Sequence, residues 1–296
     1  MPEIVYLNGS LVPRSQARVS AFDHGFLYGY GLFETMRAYH GKIFRLDRHL
    51  QRLTDSAGIL GMAAGLADID LGRACTDTLA ANKLADARLR LTVSRGEAPS
   101  FPGVSHHTTP TVLVAATPYS PPPPAVYAKG YTVGIASLRR QSCSVLSEMK
   151  STSYLLSVLA KIEAERAGLD EALLLNERGL IAEGSISNVF FVRGEILVTP
   201  PVASGILPGV TRGVVMELAR ALAIGVHEVD IKPDEMKQFG EAFLTNSVLE
   251  IMPLVGIRKT DGETLNIGAG KPGKITRKLM DAYGELVERE TSGKNG

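Results

Sequence analysis

The sequence predicts an α+β protein of two domains, and three observations carry that reading. At 296 residues, with 45% hydrophobic and 21% charged residues, the chain exceeds the size at which a single core usually stops growing. A proline run, Ser120-Pro-Pro-Pro-Pro124, stands between two apolar strand-like stretches, 111–116 and 132–136, and consecutive prolines cannot continue a strand. Stretches of period two also alternate with stretches of helical period along the chain. The expected division is a small N-terminal α/β domain over 1–119, a Pro-rich linker over 120–128 and a larger C-terminal domain over 129–296.

In the first domain, Tyr6-Leu-Asn-Gly-Ser-Leu-Val12 reads as a hairpin, because Asn8-Gly9 accepts the positive φ angles of a tight turn between β-prone residues. A second hairpin is expected around His40-Gly41, joining strands over 33–39 and 42–45. Asp47 stands where a helix cap is needed, and Leu50, Leu53, Ala57 and Leu60 follow along one face. A second amphipathic helix covers 71–84 and leads into a strand over 87–94. Beyond the prolines, 152–167 is helical in pattern and stops at Gly168. Strands are expected over 171–175, 180–183, 188–192, 196–199 and 241–245, with a further helix over 211–222; the polar end, 290–296, reads as frayed.

Several classes are excluded by composition. The 32 basic and 31 acidic residues leave a formal charge of +1 without long runs of either sign, so nothing points to nucleic acid or an anionic membrane surface. The longest apolar stretches fall far short of a membrane span. Cys75 and Cys143 make neither a metal cluster nor a disulfide framework, and Cys143 reads as a small packing residue. The start, Met1-Pro-Glu-Ile4, has no basic segment followed by an apolar one, and the reading is a cytoplasmic protein with reduced thiols. The histidines lack metal-ligand spacing; His106-His107, in a Pro-flanked loop, reads as a solvated pair, and no metal is expected.

The chemistry sits in a few strings. Glu148-Met-Lys-Ser-Thr-Ser-Tyr154 places Lys150 alone in an uncharged polar run, where an amine can lose its proton and attack a carbonyl; a solvated surface lysine has the same surroundings in sequence. Ile181-Ala-Glu-Gly-Ser-Ile-Ser-Asn-Val-Phe190 ends a strand at Glu183, just before a turn. Leu207-Pro-Gly-Val-Thr-Arg212 sets a Pro-Gly turn ahead of a helix, whose first amides and Thr211 hydroxyl suit either a phosphate or an ordinary cap. Together these strings resemble the fold-type IV pyridoxal-phosphate (PLP) enzymes, a family that includes branched-chain and D-amino-acid aminotransferases and aminodeoxychorismate lyase. The resemblance runs from about Tyr6 to about Leu279.

That resemblance implies a small sandwich-like N-terminal α/β domain, a larger barrel-like C-terminal domain, and a homodimer with residues of both chains near each cofactor. It implies that Lys150 forms the Schiff base with PLP and takes the proton from the amine-bearing carbon of a small-molecule substrate, with Glu183 beside the pyridine nitrogen. Tyr154, Ser187 and Asn188 are implied near the cofactor, and Arg52, Val210, Thr211, Ser247 and Val248 at its phosphate. Strand alternation puts Phe33, Thr35 and Arg37 on one face, which the resemblance turns toward the substrate, with Thr35 also a catalytic candidate. Arg90 and Arg95 are candidates for a substrate carboxylate, although either can equally pair with a surface acid. Asn246 and Glu250 acquire no role.

Three strings lean toward the lyase: Phe22-Asp-His-Gly-Phe-Leu-Tyr-Gly29, Phe33-Glu-Thr-Met-Arg37 and Thr245-Asn-Ser-Val-Leu-Glu-Ile251. The expected function is therefore 4-amino-4-deoxychorismate lyase, releasing 4-aminobenzoate and pyruvate. The alternative is an aminotransferase acting on branched-chain or D-amino acids with 2-oxoglutarate. A non-catalytic binding protein is the third reading, which loss of Lys150 or Glu183 would have marked.

Overall fold

A computed structural model describes residues 3–98, 109–259 and 262–292, so His106 and His107 lie outside the described residues. The chain forms two compact units, and the division is not one cut: the first gathers Met1–Ser120, Met149–Ser153 and Val287–Gly296, the second Pro121–Glu148 and Tyr154–Leu286.

The first unit is built on an antiparallel six-stranded sheet of order β2-β1-β6-β5-β3-β4. Its strands are β1 (Ile4–Leu7), β2 (Ser10–Pro13), β3 (Gly31–Tyr39), β4 (Lys42–Ile43), β5 (Ala87–Ser94) and β6 (Thr111–Pro118). Both expected hairpins form, with φ of 47° and 93° at Asn8-Gly9 and of 51° and 79° at His40-Gly41. The helices are α1 (His24–Tyr28), α2 (Leu46–Ile59), α3 (Ala63–Leu66) and α4 (Leu71–Ala81). Asp47 does not cap α2: Arg45, in the left-handed region, occupies that position, and Asp47 lies in the first turn, where its charge suits the helix dipole. Asp70 caps α4, accepting from Arg73 N at 2.8 Å.

Alternation along the two central strands makes the core. Leu32, Met36 and Ala38 of β3 join Leu89, Leu91 and Val93 of β5 under Leu53 and Ala57 of α2. Glu34 falls on the same core-facing side of β3, and α2 answers it. His49 Nδ1–H donates to Glu34 Oε2 at 2.7 Å, while Arg52 donates from Nε to Oε1 at 2.8 Å and from Nη2 to Oε2 at 2.6 Å. Burial alone would raise the Glu34 carboxyl, but Arg52 and His49 together bring it down to about 2. Burial likewise holds His49 below its usual range, as the neutral donor.

Lys150 was expected in the second domain, but its short segment is tied to β3. Phe33 N donates to Lys150 O at 2.9 Å, Thr152 N donates to Gly31 O at 2.8 Å, and Ser151 bridges Leu32. The helix expected from 152 therefore begins only at Leu155, since Ser151 and Thr152 are already engaged as a strand partner.

The second unit carries a nine-stranded mixed sheet of order β12-β11-β10-β13-β14-β7-β8-β9, with β15 beside β14. Its strands are β7 (Tyr131–Arg140), β8 (Glu171–Asn176), β9 (Ile181–Gly184), β10 (Asn188–Arg193), β11 (Ile196–Thr199), β12 (Gly225–Glu228), β13 (Glu241–Asn246), β14 (Glu250–Arg258) and β15 (Thr264–Asn266). The sheet curls on itself: β9 ends one side of the order, yet a short turn joins it to β10 near the other, and Ile181 N donates to Ile231 O at 2.9 Å, just past β12. The helices are α5 (Pro124–Lys129), α6 (Val145–Glu148), α7 (Leu155–Arg166), α8 (Val210–Ala221) and α9 (Lys274–Thr291), whose residues from Val287 belong to the first unit. The expected linker over 120–128 is thus helical in its second half, because Pro124 sits at the first helical position, where a missing N–H is harmless. Cys143 is exposed rather than packed, while Cys75 lies in the core, where burial pushes its thiol up to about 12.

The Glu34 network has a pH signature. The folded Glu34 carboxyl lies below its unfolded value, so its contribution is complete above about pH 4.5 and is lost as pH falls toward 2. His49, kept neutral, adds loss in the same direction below about pH 6.5. Glu34→Gln is expected to cost about 3–5 kcal/mol at neutral pH in urea denaturation, and to flatten the acid limb of stability. A variant with the parent's acid limb would show that Glu34 is not its source.

Candidate active site

In the first unit, the backbone pairing with β3 sets where Lys150 emerges. Its Nζ lies 4.8 Å from the centroid of the buried Phe33 ring, and the Arg90 guanidinium lies 3.8 Å from the same centroid. Thr35 is the cross-strand partner of Arg90, so it shares that face. Arg37 leans the other way along the strand, over Tyr39 at 4.3 Å and Tyr119 at 4.9 Å. Arg95 is part of the frame around β3: its Nη1 donates to Tyr30 Oη at 3.0 Å, and Tyr30 Oη donates to Leu60 O at 2.6 Å. Lys150, Phe33, Thr35 and Arg90 are therefore brought together, with Arg37 farther along the face. Arg52, on α2, is clamped by Glu34.

The second unit gathers another set of candidates. Glu183, at the end of β9, is buried; its Oε2 accepts from Leu207 N at 2.9 Å and from Asn188 Nδ2 at 3.1 Å, and its Oε1 meets Arg140 Nη1 at 3.0 Å. Asn188 also donates to Leu207 O at 2.9 Å. A Cβ at Gly209 would lie 2.0 Å from Asn188 Oδ1, so a side chain where this loop enters α8 would displace the Asn188 amide. Gly209 is the N-cap of α8, with no side-chain cap bond, and the amides of that first turn have no acceptor within the helix. Val210 is half-buried and Thr211 buried at that end.

Asn188 pairs in register with Thr245 of β13. Buried hydroxyls at both Ser187 and Thr245 lack a hydrogen-bond partner among the described residues, which marks a place prepared for a polar ligand. The turn after β13 is shaped by Asn246, whose Oδ1 accepts from Val248 N at 2.9 Å and from Leu249 N at 2.8 Å. Asn246 is thus a residue that sequence reasoning passed over, although an Asn opening a short polar turn is the signature of such an Asx geometry. Glu250 closes the turn at φ 60°. Tyr154 Oη donates to Ser185 O at 3.4 Å; burial pushes its phenol up, and the charges of Glu183 and Glu171 add to this, so it remains a donor. Arg140, the ion partner of Glu183, was also missed, since nothing local to the end of β7 announces it.

These residues suit PLP. A fixed carboxylate, a protonated phenol, an uncapped helix N-terminus and two unsatisfied buried hydroxyls match the needs of a protonated heterocycle carrying a phosphate. Among the described residues there is no cluster of acids, histidines and cysteines able to hold a metal ion, and no helix long and apolar enough to cross a membrane.

Comparison with known proteins agrees with this chemistry. The profile of the amino-transferase class IV family matches residues 31–257. A Methanocaldococcus jannaschii protein provisionally named branched-chain-amino-acid aminotransferase is 39% identical over 95% of this chain and 96% of its own. The aminodeoxychorismate lyase of Bacillus subtilis is 32% identical over 99% and 98%. The crystal structure of the Escherichia coli branched-chain amino acid aminotransferase superposes with a TM-score of 0.88 at 30% identity, over 100% of this chain and 98% of that one. The chain belongs to the class IV aminotransferase family, whose members work with PLP.

Proposed function

We propose that the protein is an aminotransferase that moves the amino group of branched-chain amino acids to 2-oxoglutarate. Its full-length likeness to branched-chain aminotransferases, in sequence and in structure, carries this reading. The buried Phe33 ring beside Lys150 supports it, because it offers an apolar wall to an aliphatic side chain. The lyase expected from the strings over 22–29, 33–37 and 245–251 becomes the second reading, since a lyase stands among the relatives at 32% identity, below the 39% of the Methanocaldococcus jannaschii protein.

The residues take the following parts. Lys150 holds the cofactor through its amine and moves the proton at the amine-bearing carbon of the substrate. PLP, when bound, supplies an electron sink for the charge left as that proton departs. Glu183 serves the ring nitrogen, with Leu207 N and Asn188 Nδ2 donating to its other oxygen. Tyr154 would offer its phenol O–H to the cofactor as a hydrogen-bond donor in place of Ser185 O, with Ser187 and Asn188 shaping the turn beside it. The phosphate falls to Arg52, to the amides of Val210 and Thr211, and to the turn at Ser247 and Val248. Phe33, Thr35 and Arg37 line the substrate, while Arg90, and with it Arg95, receives a carboxylate. A homodimer completes the reading, and the exposed Phe22, Phe26, Leu27 and Tyr28 at α1 form an apolar patch of the kind a second copy covers.

Paired assays on the PLP-loaded protein test this. Keto-acid formation from L-leucine with 2-oxoglutarate is expected to outrun 4-aminobenzoate release from aminodeoxychorismate; the reverse order would make the protein a lyase. Lys150→Ala is expected to lose the visible absorbance of the bound cofactor and to slow turnover by at least about a thousandfold. A borohydride-reducible lysine adduct persisting at full stoichiometry in that variant would remove Lys150 from its role. Glu183→Gln is expected to retain PLP while losing roughly a hundredfold in kcat, and unchanged kcat would take Glu183 off the ring nitrogen.

A further inference from the structure

Arg140, the last residue of β7, is a largely buried cation that none of these roles employs. Its guanidinium reaches three separate segments. Nη1 meets Glu183 Oε1 at 3.0 Å, Nε donates to Gly205 O at 2.6 Å, and Nη2 donates to Ser147 O at 2.8 Å. The side chains of Arg140 and Glu183 are only 14% and 7% exposed, so little water screens their attraction. Gly205 opens the loop that supplies Leu207 N to the other oxygen of Glu183 and continues to Gly209 and α8. That loop sits tight: at Gly205, φ is 84° and a Cβ would lie 2.7 Å from Ser142 Cα. Ser147 is secured in turn, its hydroxyl donating to Gln141 O at 2.7 Å. A planar fork of donors satisfies all three acceptors at once, which a lysine ammonium on a flexible stem does not.

We propose that Arg140 is the positioning residue of the Glu183 carboxylate, holding it ionised and in one orientation while locking it to the loop that enters α8. The proposal rests on the reading of Glu183 as the partner of the ring nitrogen. A guanidinium in contact favours the charged carboxylate, so Glu183 remains an acceptor for a ring N–H across a wide pH range. The other titratable groups near it do not supply this charge. Tyr154 is a neutral phenol, pushed up first by burial, and Glu171 is a carboxyl pushed up by burial that is engaged by the Ser185 hydroxyl and by Ala172 N. Without the cation, Glu183 takes up a proton at higher pH and loses the restraint on its rotamer.

Three variants of the full-length, PLP-loaded protein separate charge from geometry: Arg140→Met, Arg140→Lys and Glu183→Gln as the control. For Arg140→Met, kcat with L-leucine is expected to fall by about tenfold or more with KM within about twofold, while the acid limb of kcat and the pH titration of the cofactor's visible absorbance both move up by about one unit. Arg140→Lys is expected to keep the titration within a few tenths of a unit while still losing part of kcat. If Arg140→Met does not fold, the lysine variant decides: full kcat, or a titration displaced by a unit, overturns the proposal. Arg140→Met with parental kcat and titration, beside a disabled Glu183→Gln, also overturns it and leaves the role of Glu183 standing. A Glu183→Gln variant indistinguishable from the parent removes the reading on which the proposal rests.

Discussion

The backbone around Lys150 is held in place as a strand partner of β3. The segment from Lys150 to Thr152 exchanges hydrogen bonds with the first residues of β3, Lys150 O accepting from Phe33 N and Thr152 N donating to Gly31 O, and the Thr152 hydroxyl adds a bond to Gly29 O at 2.8 Å. Two consequences follow from this one pairing. Phe33, whose own amide makes one of the bonds, is brought with its ring against the Lys150 amine. The helix that follows is pushed back to Leu155, because residues engaged in an extended pairing cannot also begin a helix. The Phe33 side of β3 is thereby tied to Lys150 by short backbone hydrogen bonds.

Each unit also buries a carboxylate and meets it with an arginine and further donors. Glu34 receives Arg52 and His49; Glu183 receives Arg140, Asn188 and the amide of Leu207. A buried charge is tolerable only when it is paired and hydrogen-bonded, and a fully engaged carboxylate has few orientations left. The hydroxyls of Ser187 and Thr245, which have no hydrogen-bond partner among the described residues, and the end of α8, which has no side-chain cap, are the complementary case of polar groups left open.

Family membership narrows the chemistry without fixing the reaction. Transamination and elimination share the first proton transfer, so the residues that hold the cofactor suit both. The strings around Thr35 and Asn246 lean toward the lyase, whereas likeness along the whole chain leans toward branched-chain aminotransferases. Asn246 illustrates why a short string is a weak guide: its side chain builds the turn through Val248 N and Leu249 N, a structural duty compatible with either reaction.

Much of the fold was legible in the sequence because its signals are local. Asn8-Gly9 and His40-Gly41 announce their hairpins by the φ angles they accept, and the alternation in 33–39 separates the face of Phe33, Thr35 and Arg37 from that of Met36 and Ala38. The strings around Lys150, Glu183 and Thr211 were enough to suggest the cofactor. Only the tertiary structure decided that Lys150 is strapped to β3, that the proline run opens a helix, that Arg52 is clamped by Glu34, and that Arg140 meets Glu183. Turn angles and periodicity are properties of neighbouring residues, but an ion pair between side chains 43 positions apart exists only once β7 and β9 have paired on either side of β8.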